Sequence, residues 1–202
     1  MIKIEKGSKI GLFGGTFDPV HIAHLIIADR VLEQAGLDFI LFVPGAIPPH
    51  KQNRKISPGE IRYQMLQLAL QDNPCFLADD LELQRGRISY TIDTINQLYK
   101  NYPLDARSVY LIIGADNLLD FHNWKKPHEI VEKCHIIAVR RPYSQFDRHK
   151  MKIDIPYMQI EAPLLEVSSS DIRQRVRQGK SIRYLVPSRV ERFIYENNIY
   201  KD

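Results

Sequence analysis

Cysteine is nearly absent from this sequence: two residues, Cys75 and Cys134, among 202. They stand far apart in apolar strings, with no CxxC partner and no metal-ligand spacing. They therefore read as small buried thiols, not as a disulfide or a zinc site. Long hydrophobic runs are also missing. The strongest, residues 39–43, is far too short to cross a bilayer. The first residues carry no apolar signal-peptide core, so the expected location is the cytoplasm, away from membranes. Neither charge sign dominates. The 28 Lys and Arg against 24 Asp and Glu leave a formal charge of +4, which permits anionic partners without identifying them. Internal repeats and low-complexity tracts are absent. With 44% hydrophobic and 26% charged residues, disorder, collagen and coiled coil are excluded. Neither the G-x-G-x-x-G fingerprint nor a P-loop occurs, and no Ser/His/Asp or Cys/His nucleophilic set is apparent.

What is present is an alternation of short apolar runs and amphipathic stretches. Residues 9–13, 39–43, 108–113 and 135–139 read as buried strands, with a late strand near 158–161. Helical spacing marks residues 22–35, the stretch after residue 60, 91–100 and a pair over about 115–133. Residues 75–83 look extended. Ser57-Pro58-Gly59-Glu60 and Ser188-Arg189-Val190-Glu191 read as capping boxes, the first with proline at the first helical position. Residues 140–157 are polar and read as a surface excursion. Short β runs between longer helices predict an α/β fold, a doubly wound parallel sheet with helices on both faces. The length suits one domain over 1–202. Residues 1–165 would form the sheet and its helices, and 166–202 a small helical C-terminal part.

The first strand–helix junction is Gly14-Gly15-Thr16-Phe17-Asp18-Pro19-Val20-His21-Ile22-Ala23-His24. Ligands of open α/β sheets bind outside the carboxyl ends of the strands. Two glycines let the backbone approach a ligand. Asp18 fits the N-cap and Pro19 the first helical position, which puts His21 in the first turn. His24, three residues on, shares its face. Two imidazoles beside free helix N–H groups suit a phosphate. A zinc site is not completed, because no cysteine or carboxylate pair joins the histidines. A second such start is Val167-Ser168-Ser169-Ser170-Asp171-Ile172-Arg173. Its serines offer hydroxyls at a helix start, and Arg173 adds a planar cationic fork.

The first string resembles the signature of the nucleotidyltransferase superfamily with the HIGH-type motif, and the second resembles that superfamily's I-S-S-T-x-I-R motif. Here Ser170 stands for the threonine and Val167 for the isoleucine. Further elements are similar to those of bacterial nicotinate-nucleotide adenylyltransferases: Pro48-Pro49-His50-Lys51, Ser89-Tyr90-Thr91, Ile112-Ile113-Gly114-Ala115-Asp116, Asn123-Trp124 and Arg140-Arg141-Pro142. The resemblance runs from about residue 8 to residue 200. It implies a Rossmann-like fold and an enzyme of NAD biosynthesis. That enzyme joins ATP to nicotinate mononucleotide with release of pyrophosphate, using Mg²⁺.

By that resemblance His21, His24 and Arg173 are the catalytic residues. Gly14, Gly15, Thr16, Phe17, Asp18, Gly114, Asp116, Ser169 and Ser170 would bind ATP. Lys51, Thr91, Trp124 and Arg141 would bind the acceptor, and no residue is assigned to a metal. Where some members place an asparagine after Pro44, Gly45 and Ala46 stand here, leaving only their backbone groups to offer. Two other acceptors remain open within the superfamily: pantetheine phosphate, for another adenylyltransferase, and a polyol phosphate, for a cytidylyltransferase. A catalytically silent nucleotide-binding module is a further alternative. A nucleic-acid surface on Arg173, Arg175, Arg177, Lys180 and Arg183 is disfavoured, since no aromatic residue interleaves until Tyr184.

Overall fold

The computed structural model describes residues 4–46, 56–86, 88–140 and 147–201. Six strands form one sheet: β1 (Ile10–Gly15), β2 (Phe39–Pro44), β3 (Phe76–Ala78), β4 (Val109–Gly114), β5 (His135–Arg140) and β6 (Met158–Glu161). Their order is β3-β2-β1-β4-β5-β6 and every pairing is parallel. The eight helices of the described residues are α1 (Ile22–Gln34), α2 (Gly59–Leu70), α3 (Leu81–Arg85), α4 (Thr91–Asn101), α5 (Asn117–Asp120), α6 (Pro127–Lys133), α7 (Ser169–Arg177) and α8 (Ser188–Glu196).

Strand periodicity builds the core on both faces, because successive side chains point to opposite sides. Ile40 and Phe42 of β2, Ile112 of β4, and Ile137 and Val139 of β5 enter one cluster. Their neighbours Leu41, Val43, Leu111, Ile113, Ile136 and Ala138 enter the other. The first cluster is closed by α1, α2, α7 and α8, including Ile172, Val176, Val190 and Ile194 of the C-terminal part. The second is closed by α4 and α6 through Ile92, Ile95, Leu98 and Ile130. Gly11 of β1 points into the first cluster. A Cβ there would lie 2.6 Å from Ile40 Cδ1 and 2.9 Å from Ile112 Cδ1, so any larger residue would push these side-chain ends aside.

The doubly wound parallel architecture agrees with the sequence reading, but several local expectations do not. Residues 75–83 hold only a three-residue strand, followed by helix α3. Its N-cap is Asp80, and Gly86 ends it in the left-handed region at φ +60°. Neither predicted capping box forms. Pro58 and Pro187 hold extended backbone and are themselves the N-caps, with no side-chain cap bond, so α2 starts one residue later than expected and α8 one residue earlier. Cys75 is only partly buried, whereas Cys134 is buried as expected and neither is in a disulfide. Burial pushes the Cys134 thiol up to about 12.

The order reverses between β1 and β4, from which the chain winds outward in opposite directions. In such sheets the crevice at the carboxyl ends of these two strands receives the ligand. Gly14 and Gly15 end β1 there, and Gly114 ends β4.

Candidate functional site

The loop after β1 departs from its predicted form. His21, not Asp18, is the N-cap of α1, with extended backbone. Pro19 lies two residues before it, in a cis Asp18–Pro19 peptide. Asp18 does not cap because its carboxylate is buried, at 3% exposure, and engaged elsewhere. Oδ1 accepts from the Tyr200 hydroxyl (2.7 Å) and Oδ2 from the Ser57 N–H (3.2 Å).

His21 and His24 do share a face. Their rings stack at 3.7 Å, and the His21 N–H donates to His24 Nδ1 (3.2 Å). With Nδ1 accepting, the neutral His24 ring carries its proton on Nε2, which is then its donor. The rings of Phe13 and Phe17 meet His24 edge-on at 6.1 and 5.0 Å and fix its orientation. Phe17 is buried, so what it can present to a ligand is backbone, held at φ +48°. Its ring also closes over Gly15, where a Cβ would lie 2.7 Å from Phe17 Cζ.

The second motif meets the first. Ser168 is the N-cap of α7, its Oγ accepting from the Asp171 N–H (3.1 Å). Ser169 Oγ donates to the Pro19 carbonyl (2.9 Å). Arg173 Nη1 donates to the Asp18 carbonyl (2.7 Å), and Nη2 to Ser170 Oγ (3.3 Å). The starts of α1 and α7, some 150 residues apart in the chain, are thus bonded side by side at the end of β1. Ser170 is exposed there. Farther along the basic run, Arg175 donates to the Ser181 carbonyl (2.9 Å) and Arg183 lies 4.0 Å from Glu191.

On the other side of the crevice Asp116 is exposed just past β4, and its carboxylate folds back against Gly114. Beyond it Asn117, Ser89, Thr91, Asn123 and Trp124 line a cavity of about 210 Å³. Thr91 and Trp124 are therefore brought together. The indole is half-buried, tilted against Phe121 at 5.0 Å. Lys125 stands over the Tyr90 ring at 4.4 Å and pairs with Asp93 at 3.1 Å. The backbone donors after Pro44 turn inward: the Gly45 N–H bonds the Gly15 carbonyl (2.9 Å) and the Ala46 N–H bonds Ser89 Oγ (3.3 Å). Lys51 and Arg141 lie outside the described residues, as do the rest of Pro48–Lys51 and Pro142.

Sequence reasoning missed Tyr200 and Arg62. Arg62 is 2% exposed and donates to the Thr16 carbonyl (2.8 Å) and the Ser57 carbonyl (3.0 Å). Its burial lowers its pKa, against the pull of Asp18. An arginine inside an amphipathic stretch gives no sign that it will be buried. Nothing local marks a tyrosine near the last residue either.

A cytidylyltransferase-like family model matches residues 12–175. A probable nicotinate-nucleotide adenylyltransferase of Geobacillus thermodenitrificans is 44% identical over 192 residues, covering 95% of this chain and 86% of that one. The nicotinate-nucleotide adenylyltransferase of Bacillus subtilis is 42% identical, covering 96% and 98%. A Plasmodium falciparum nicotinic acid mononucleotide adenylyltransferase, solved in complex with NaAD, has the same fold at a TM-score of 0.76. It is 19% identical and covers 97% of each chain.

Proposed function

The chain belongs to the cytidylyltransferase-like family, among its nicotinate-nucleotide adenylyltransferases, and from that premise we propose how its residues divide the reaction. The enzyme transfers the adenylyl group of ATP to nicotinate mononucleotide, giving nicotinate adenine dinucleotide and pyrophosphate. The pairing of the two helix starts carries the assignment of the ATP site: Ser169 on Pro19 and Arg173 on Asp18.

The acceptor 5′-phosphate attacks the α-phosphorus of ATP in line. This nucleophile is already an anion, so no general base and no covalent enzyme intermediate are needed. The work left to the protein is positioning and charge stabilisation. His24 donates from Nε2 to a phosphate oxygen as charge builds, with His21 stacked beside it. The start of α7, with Ser170 and the guanidinium of Arg173, holds the β,γ-phosphates. Ser169 contributes through its backbone, since its hydroxyl is spent on Pro19. Gly14, Gly15 and the Thr16–Asp18 backbone line the approach to the triphosphate, and Gly114 and Asp116 face the adenosine. Trp124 stacks on the pyridine ring and Thr91 contacts the acceptor beside it. Lys51 and Arg141 are proposed for the acceptor phosphate on the resemblance alone.

ATP enters as its magnesium complex. Among the described residues no three His, Cys, Asp or Glu side chains gather to hold a metal, and the Asp18 carboxylate is already bonded within the protein. Mg²⁺ would be brought by the nucleotide and would offset the charge of its phosphates. Nucleic acid has no part in this reading: of the basic run of α7, Arg173 faces the phosphate site and Arg175 is bonded to the Ser181 carbonyl.

The test is a product assay with ATP, Mg²⁺ and three acceptors: nicotinate mononucleotide, its amide and pantetheine phosphate. Dinucleotide and pyrophosphate should form fastest with the acid. Faster pyrophosphate release with pantetheine phosphate would overturn the reading.

A further inference from the structure

We infer that Tyr200, near the end of the chain, is a positioning residue for adenylyl transfer. Through Asp18 it fixes the loop that carries both phosphate-binding helix starts. The inference rests on the ATP placement proposed above.

Residues 16–19 are held almost entirely by groups from distant parts of the chain. The Thr16 carbonyl accepts from Arg62, the Asp18 carbonyl from Arg173 and the Pro19 carbonyl from Ser169. Phe17, in the middle, adopts the left-handed region at φ +48°. A bulky residue occupies that region only where its surroundings impose it. The side chain at the centre of the loop is the buried Asp18 carboxylate. An ionised carboxylate removed from water persists only when its oxygens are bonded. Ser57 and Arg173 serve Oδ2, at 3.2 and 3.9 Å, and the Tyr200 hydroxyl serves Oδ1 at 2.7 Å. The backbone of Tyr200 is itself left-handed, at φ +68°, and its ring packs against the core next to Met65. The chain end is therefore bent inward to deliver one O–H to this carboxylate.

What Tyr200 steadies is catalytic in position. His21 follows the loop by two residues, and Arg173 takes its direction from the Asp18 carbonyl. Losing the phenol hydroxyl leaves Oδ1 without this donor and frees the loop to shift, moving both phosphate-binding groups together. The cavity of Thr91 and Trp124 is built from α4 and the segment after α5, on the other face of the sheet, and should not feel the change.

Steady-state kinetics with ATP and nicotinate mononucleotide test this on the parent enzyme, Tyr200→Phe, Asp18→Ala and the double variant. Tyr195→Phe, an exposed tyrosine of α8, is the control. Circular dichroism fixes the folded fraction, so that kcat is referred to folded enzyme. Tyr200→Phe should lower kcat on the order of 10- to 100-fold, the cost of a small misplacement. The KM for nicotinate mononucleotide should stay within about twofold, and Tyr195→Phe should match the parent. On the Asp18→Ala background, which has no acceptor for the phenol, Tyr200→Phe should add less than about twofold, since both changes act through one contact. A parental kcat for folded Tyr200→Phe overturns the inference, as do two losses that multiply independently. If the parent binds ATP but transfers to no acceptor, the site reading fails instead. The inference is then judged on the Kd for a non-hydrolysable ATP analogue, which must rise in Tyr200→Phe and overturns it if unchanged.

Discussion

Arg173 reaches across 155 residues of sequence to donate its Nη1–H to the Asp18 carbonyl at 2.7 Å, while its Nη2 reaches Ser170. The guanidinium is thus fixed in plane by two protein acceptors before any phosphate arrives. Lysine keeps the charge but cannot hold this fork, because its ammonium is a single point on a flexible stem. Arg173→Lys should therefore lose on the order of 100-fold in kcat, most of what Arg173→Ala loses. Initial rates at saturating ATP and acceptor check this. A lysine variant within about threefold of the parent would show that charge alone is required.

His24 is oriented by the His21 N–H on Nδ1 and by the edges of Phe13 and Phe17. Its contribution is a directed donor, made when charge develops on the phosphates. His24→Ala should lower kcat about 100- to 1,000-fold, with a smaller change in the KM for ATP. Near-normal turnover in this variant would remove His24 from the mechanism. Rapid-quench measurement of a single turnover confirms that the chemical step, and not product release, has slowed.

The sheet and its two cores were legible because its central strands are short continuous apolar runs, as burial on both faces requires, and in Ile40-Leu41-Phe42-Val43 successive side chains go to opposite faces. Both phosphate motifs were legible because each is a contiguous string. Cap positions were not. Asp18-Pro19 has the local signature of an N-cap and first helical residue, yet the carboxylate is claimed by Tyr200 and Ser57, far away in the chain. Ser57-Pro58 and Ser188 misled for a simpler reason. The φ that proline imposes suits the N-cap as well as the first turn, and here it sits at the cap. Residues 75–83 read as extended throughout because the five-residue helix that begins at Leu81 is too short to display a helical period.

Trp124 offers the acceptor a flat ring held at an angle by Phe121, in the same cavity as Thr91. Aromatic stacking of this kind is worth ~1–3 kcal/mol. Trp124→Ala should then raise the KM for nicotinate mononucleotide by roughly 5- to 150-fold, leaving the KM for ATP near its parental value. Trp124→Phe, which keeps a ring, should recover most of the loss. A change confined to the KM for ATP would place the pyridine elsewhere.

Alkaline pH should destabilise the fold through two buried groups. Burial raises the Cys134 thiol from its ordinary 9.0 to about 12, and burial together with Asp18 raises the Tyr200 phenol above its ordinary 10.0. In both cases the folded state keeps a proton that the unfolded chain releases. The unfolded state therefore binds fewer protons above about pH 9, and stability must fall as pH rises. The contribution is fully present below pH 9 and is lost as pH climbs toward 12. Cys134 alone accounts for up to ~1.4 kcal/mol per pH unit in that window. Urea denaturation at about pH 8 and about pH 11 should show the midpoint falling, less steeply in Cys134→Val and in Tyr200→Phe. The same burial keeps Cys134 from thiol reagents in the native state, while partly buried Cys75 is the one to react. A midpoint that does not move between these pH values would mean that neither group retains its proton in the folded protein.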